Sequence, residues 1–175
     1  MGNVLEFQSA RLQLHFAMLR YVGVPDALTW RVLGWPRDRY WDGDLYAAPM
    51  LVALRGDDEV CGVELARGPT PETLDESRKL MAALNAVVLH QHFERRGRAC
   101  VTTSSIVFED RGRFEVEVPD STRNYLRQRA HRAMRDYRFS KASTRELARL
   151  LQADGVVLDA RPYNRTDLPN KPRTS

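Results

Sequence analysis

TPETLDESRKLMAALNAVVLHQHFERRG, residues 70 to 97, reads as one helix from end to end. Thr70 offers a capping hydroxyl, and Pro71 suits a first helical position that needs no N–H. Glu72, Asp75 and Glu76 complement the positive end of the helix dipole; Arg95 and Arg96 complement the negative end, and Gly97 provides a stop. Leu74, Leu80, Met81, Leu84, Val87, Val88 and Leu89 form a wide apolar face that must be buried against other elements.

A strand pair is expected on each side of this helix. Met50–Leu54 and Glu59–Ala66 flank the turn Arg55-Gly56-Asp57-Asp58, and Ala99–Phe108 and Arg113–Val118 flank Glu109-Asp110-Arg111-Gly112. In the last of these strands Phe114, Val116 and Val118 alternate with Glu115 and Glu117, the pattern of a strand with one wet face. The reading is an α+β fold: two β-hairpins form an antiparallel sheet packed on a long central helix, with N-terminal helices before it and a C-terminal helix pair after it.

The N-terminal helices are expected over residues 4 to 21 and 25 to 33, the second ending at Gly34. PRDRYWDGD, residues 36 to 44, reads as a loop whose aromatics, with Trp35, fold back on the core. The C-terminal pair comprises 121–139 and 143–154, the latter opened by a Ser143/Glu146 capping box and stopped by Gly155. Val156–Leu158 reads as a final strand. Residues 1–160 form a single α+β domain, and 161–175, with Pro162, Pro169 and Pro172, an irregular tail.

The chain has 175 residues and a net charge of +4, with lysine only at Lys79, Lys141 and Lys171. The positive charge is therefore arginine, whose rigid fork matches phosphates and carboxylates. A GC-rich coding sequence would also favour arginine over lysine. Two cysteines, Cys61 and Cys100, fit neither a zinc site nor a disulfide scaffold. No secretion signal and no apolar span is visible, so a cytoplasmic protein away from membranes is expected.

Arginine is densest in DSTRNYLRQRAHRAMRDYRF, residues 120 to 139. On a helix, Leu126, Ala130, Ala133, Met134 and Tyr137 form an apolar stripe, and the arginines with His131 occupy most of the rest. Only Arg132 and Asp136 are spaced to pair four apart. The candidate binding residues are Arg123, Arg127, Arg129, His131, Arg132, Arg135 and Arg138, joined by Arg95, Arg96 and Arg98. Tyr125 lies among them for base stacking. The helix pair has helix-turn-helix spacing, but the second helix presents only Arg145, Arg149 and Gln152 with Glu146, so backbone binding is favoured over base reading.

Enzymatic signals are thin. His90 and Glu94 share a helix face but His92 points elsewhere, the HExxH spacing is absent, and no metal or cofactor is implied. Thr102, Thr103, Ser104 and Ser105 lack a nucleophile elbow, and neither a P-loop nor a GxGxxG string occurs. The run LGWPRDRYWDGDLYAAPMLVALRGDDEVCGVELA is similar in texture to GNAT-type acyltransferases, including the autoinducer synthases, where an acidic-turn strand pair follows N-terminal helices. That resemblance implies a glycine-containing loop opening a helix. The nearest string here, residues 94 to 99, closes one instead, so no acyltransferase residue is carried over. The expectation is a non-catalytic polyanion-binding protein that associates with nucleic acid or a nucleoprotein complex. The alternative is an interaction module that sets the same arginines against an acidic protein partner.

Overall fold

The computed structural model describes residues 31–34, 37–55, 57–98, 101–158 and 163–164. They form a mixed α+β fold of two sheets and three helices. The larger sheet contains β1 (Arg31–Gly34), β4 (Leu51–Arg55), β5 (Glu59–Ala66), β6 (Val101–Phe108), β7 (Arg113–Glu117) and β9 (Tyr163–Asn164), in the order β1-β4-β5-β6-β7-β9. The smaller contains β2 (Tyr40–Asp42), β3 (Leu45–Ala47) and β8 (Ala142–Ser143). The helices are α1 (Glu76–Glu94), α2 (Asp120–Asp136) and α3 (Thr144–Ala153).

Both expected hairpins are present, β4 with β5 and β6 with β7. Their junction differs from expectation. β5 and β6 run parallel, from Glu59 opposite Val101 to Ala66 opposite Phe108, so the sheet is mixed rather than antiparallel. The cause is topological: α1 carries the chain back along the sheet before β6 begins, as any parallel neighbour requires.

α1 starts later than Thr70. Asp75 is its cap, with extended backbone and a carboxylate that accepts the Arg78 N–H at 2.9 Å. Thr70 is instead held by Asp110 of the β6–β7 turn through its N–H (3.0 Å) and hydroxyl (2.5 Å). A carboxylate inside the loop outcompetes a hydroxyl for the capping position. Gly97 at φ +77 does end the helix: its N–H reaches Glu94 O, and the Arg98 N–H reaches Phe93 O, the paired bonds of a Schellman turn. Ala82 to Leu89 are buried without a break, because α1 packs on β5, β6 and β7 on one side and on α2, α3, β2 and β3 on the other. Burying Leu80, Leu84 or Leu89 fully contributes roughly 2 kcal/mol each.

The faces of the large sheet are unlike each other. Val52, Leu54, Val60, Ile106, Phe108, Phe114 and Val116 join the core with α1. The opposite face carries Leu51, Ala53, Cys61, Val63 and Val107 as a second apolar cluster beside a buried ionic group. There the Arg55 guanidinium bonds Glu59, Glu115 and, at 3.0 Å, Thr103. Glu115 is therefore fully buried rather than wet; of the two glutamates on β7 only Glu117 is exposed. Thr102, Thr103, Ser104 and Ser105 are likewise buried strand residues.

The aromatic stretch read as a loop folds as the hairpin β2–β3, with Asp42 opposite Leu45 and Gly43 at φ +62 in a two-residue turn. Tyr40 is buried and Trp41 half-buried; Trp35 lies outside the described residues. The expected N-terminal helix over 4–21 also lies outside them. Of the helix expected over 25–33, residues 31–33 are described, and they belong to strand β1. Val156–Leu158 forms no strand, although Val156 and Leu158 are buried. Tyr163 and Asn164, expected in the irregular tail, pair with Glu115 and Phe114. None of the described helices is long and apolar enough to cross a membrane.

Candidate functional site

The Arg-rich stretch forms α2, anchored as its pattern predicts. Leu126, Ala130, Ala133 and Met134 are buried on the core. Tyr137, assigned to the same stripe, is half exposed, with its hydroxyl donating to Asp154 at 3.1 Å. The helix ends one residue before it, which takes Tyr137 off the helical face. The exit is a second Schellman turn, Arg138 N–H to Arg135 O and Phe139 N–H to Met134 O, with Arg138 at φ +56. The Arg132–Asp136 pair does not form; the ion pair on this helix is Arg123 with Asp120, at 3.0 Å.

The basic residues separate into groups with different partners. Asp42, at the end of β2 and 0% exposed, gathers the first group. Arg127 Nε and Nη2 donate to its two oxygens at 2.7 and 3.0 Å, Arg95 Nη2 donates at 3.1 Å, and His131 Nε2 lies 3.1 Å from Oδ2. Burial by itself would raise the Asp42 pKa. The hydrogen bonds from His131 and Arg127, with their charges, outweigh it and hold the carboxyl well below the usual range. With both oxygens engaged, Asp42 ties the small sheet to the end of α1 and the middle of α2. Sequence reading missed it, because one aspartate in a charged loop carries no signal of burial.

Arg96 donates to His92 O at 3.1 Å, and Arg98 is half-buried beyond Gly97. Arg129, Arg132, Arg135 and Arg138 form no ion pair among the described residues, and the last three are exposed. These four line a groove of about 1040 Å³ along α2, together with Arg127 and His131. Two aromatic side chains share it, Tyr125, 51% exposed, and Phe139, 38% exposed. Asn124 and Gln128 add neutral donors and acceptors, while Asp44 is the one acidic residue lining it.

His90 and His92, near the end of α1, face different partners. His90 faces Glu94 at 3.6 Å, and His92 Nδ1 accepts the Trp41 N–H at 3.2 Å. Burial, then the charges of Arg96 and Arg95, lower the His92 pKa, which keeps that nitrogen free to accept. Among the described residues no group of three or more histidine, cysteine or acidic side chains is placed to hold a metal ion. Cys61 is a buried free thiol, and Cys100 lies outside the described residues. No protein-family model matches the chain, and no curated protein or solved structure is significantly similar to it.

Proposed function

We propose that this protein binds nucleic acid along the α2 groove, by contacts to the phosphate backbone of a single strand. One observation carries the reading: four arginines without ion-pair partners among the described residues line the same groove as two exposed aromatic rings. Guanidiniums neutralise successive phosphates, and rings between them stack on unpaired bases of any sequence. A carboxylate-rich protein surface would satisfy the arginines, but it would leave Tyr125 and Phe139 without flat partners. The exposed rings therefore favour nucleic acid over an acidic protein.

The test is fluorescence anisotropy with a labelled oligothymidine and a duplex of equal length, at several salt concentrations. The single strand binds more tightly than the duplex, and Tyr125→Ala with Phe139→Ala removes that preference while leaving duplex binding nearly unchanged. Absence of binding to either at low salt would refute the reading. So would recovery from the native cell of a defined protein complex that survives nuclease.

A further inference from the structure

A chain of buried polar groups centred on α1 shares no residue with the groove. Asn85 is fully buried in the middle of the helix. Its Nδ2 donates to Glu64 Oε1 at 3.1 Å, and its Oδ1 accepts the Thr144 hydroxyl at 2.5 Å. An apolar residue would pack at this position without the cost of burying an amide. What the amide adds is a fixed orientation for the Glu64 carboxylate.

Glu64 lies near the end of β5 and is 8% exposed. Its second oxygen, Oε2, accepts no hydrogen bond from the described residues and is not sealed from solvent. Glu64 lines a cavity of about 470 Å³ formed where the parallel strands β5 and β6 finish and α1 begins. That volume falls in the range of small-ligand sites, and the carboxyl ends of parallel strands are where open sheets hold ligands. Arg67, Arg78, Arg145 and Arg149 line the same cavity, with Ser77 from the first turn of α1. Arg78 is engaged by Asp75 at 3.6 Å. Arg67, Arg145 and Arg149 have no ion pair among the described residues.

One cavity thus presents two complementary demands, a Glu64 carboxylate oxygen that accepts no hydrogen bond from the described residues and, in Arg67, Arg145 and Arg149, guanidiniums without an ion-pair partner among them. Burial pushes the Glu64 pKa up, and the Arg145 charge and the Asn85 bond only draw it back in part. An ammonium placed on Oε2 supplies the opposite charge that a buried carboxylate needs. We propose that this cavity binds a small zwitterion, its ammonium on Glu64 Oε2 and its phosphate or carboxylate on Arg145 and Arg149.

The test is calorimetric titration of the full chain with O-phosphoethanolamine and with γ-aminobutyrate, using inorganic phosphate and ethanolamine as the separate halves. At least one zwitterion binds, and the preference between the two identifies the anion. Each half alone binds roughly tenfold or more weakly, because it meets one of the two charged partners. Glu64→Gln keeps an oxygen for Asn85 and so retains the fold. It lowers zwitterion affinity roughly tenfold and leaves phosphate binding unchanged. Arg145→Ala with Arg149→Ala, both on the exposed face of α3, abolishes binding of phosphate and zwitterion alike. The proposal is overturned if neither zwitterion binds at about 10 mM, a very weak affinity, or if Glu64→Gln binds them as tightly as the native chain. Loss of oligothymidine binding by the α2 variants has no bearing on either result.

Discussion

Replacing Arg132, Arg135 and Arg138 together with alanine tests the α2 groove where its chemistry is most exposed. These side chains are bonded to nothing through their guanidiniums among the described residues, so the substitutions change stability by no more than about 0.5 kcal/mol each. Their effect on a bound single strand is much larger. With Arg129 they supply four guanidiniums, and at about −0.7 per neutralised phosphate the native chain has a slope near −2.8 in log affinity against log salt. Raising salt from about 50 to about 200 mM then weakens native binding roughly 50-fold. The triple variant keeps Arg129 alone, its slope falls to about −0.7, and the same change in salt weakens it less than roughly threefold. Anisotropy of a labelled oligothymidine at four or five salt concentrations measures both slopes, and thermal melting checks the fold. A variant whose slope matches that of the native chain would refute the reasoning, because the bound phosphates would then lie elsewhere.

Arg127 and Asp42 behave differently, because the carboxylate is fully buried although Arg127 itself is 36% exposed. Arg127→Ala removes two hydrogen bonds from the fully buried carboxylate, which keeps Arg95 and His131, and destabilises the fold by about 2 kcal/mol in urea unfolding. Because the folded pKa of Asp42 is depressed, its contribution to stability is complete above the unfolded value of about 3.9 and is lost as pH falls from there toward the folded pKa. Asp42→Asn flattens that acid limb in a series of unfolding curves measured from neutral pH downward. Asn85→Ala strands Glu64 Oε1 and the Thr144 hydroxyl without their partner and costs about 3 kcal/mol by the same unfolding measurement. Arg138→Gly moves two observables in opposite directions: it relieves the left-handed backbone, raising stability by about 1 kcal/mol, and it weakens oligothymidine binding.

The elements legible in the sequence are those whose signals are local. The Ser143/Glu146 capping box forms with both reciprocal bonds, Gly97 and Gly155 close their helices in left-handed conformations, and the two acidic turns join antiparallel strands. What escaped reading depends on distant partners. Asp42 looks like any loop aspartate until Arg95, Arg127 and His131, between 53 and 89 residues away, converge on it. Those contacts divide the expected binding residues: Arg95, Arg127 and His131 are held by the fold, whereas Arg132, Arg135 and Arg138 face solvent. Period-two alternation marked Glu115 as wet, because alternation assigns residues to faces and not to solvent. The face it occupies is closed, and Arg55 from another strand neutralises it. Glu64 and Asn85 were unremarkable in apolar runs for the same reason, since each acquires its meaning from the other.

The parallel junction between β5 and β6 also sets the order in which the sheet can assemble. Each hairpin closes over a short turn and needs only neighbouring residues, whereas Glu59 meets Val101 only after the whole of α1 has been laid between them. Joining the hairpins is thus the step of high loop-closure entropy, and α1 is its gatekeeper. Gly62 sits at that junction on the face toward α1, where an added Cβ would come within 2.8 Å of the buried Leu89 side chain. A side chain at position 62 would therefore hold α1 off the strand against which β6 must pair.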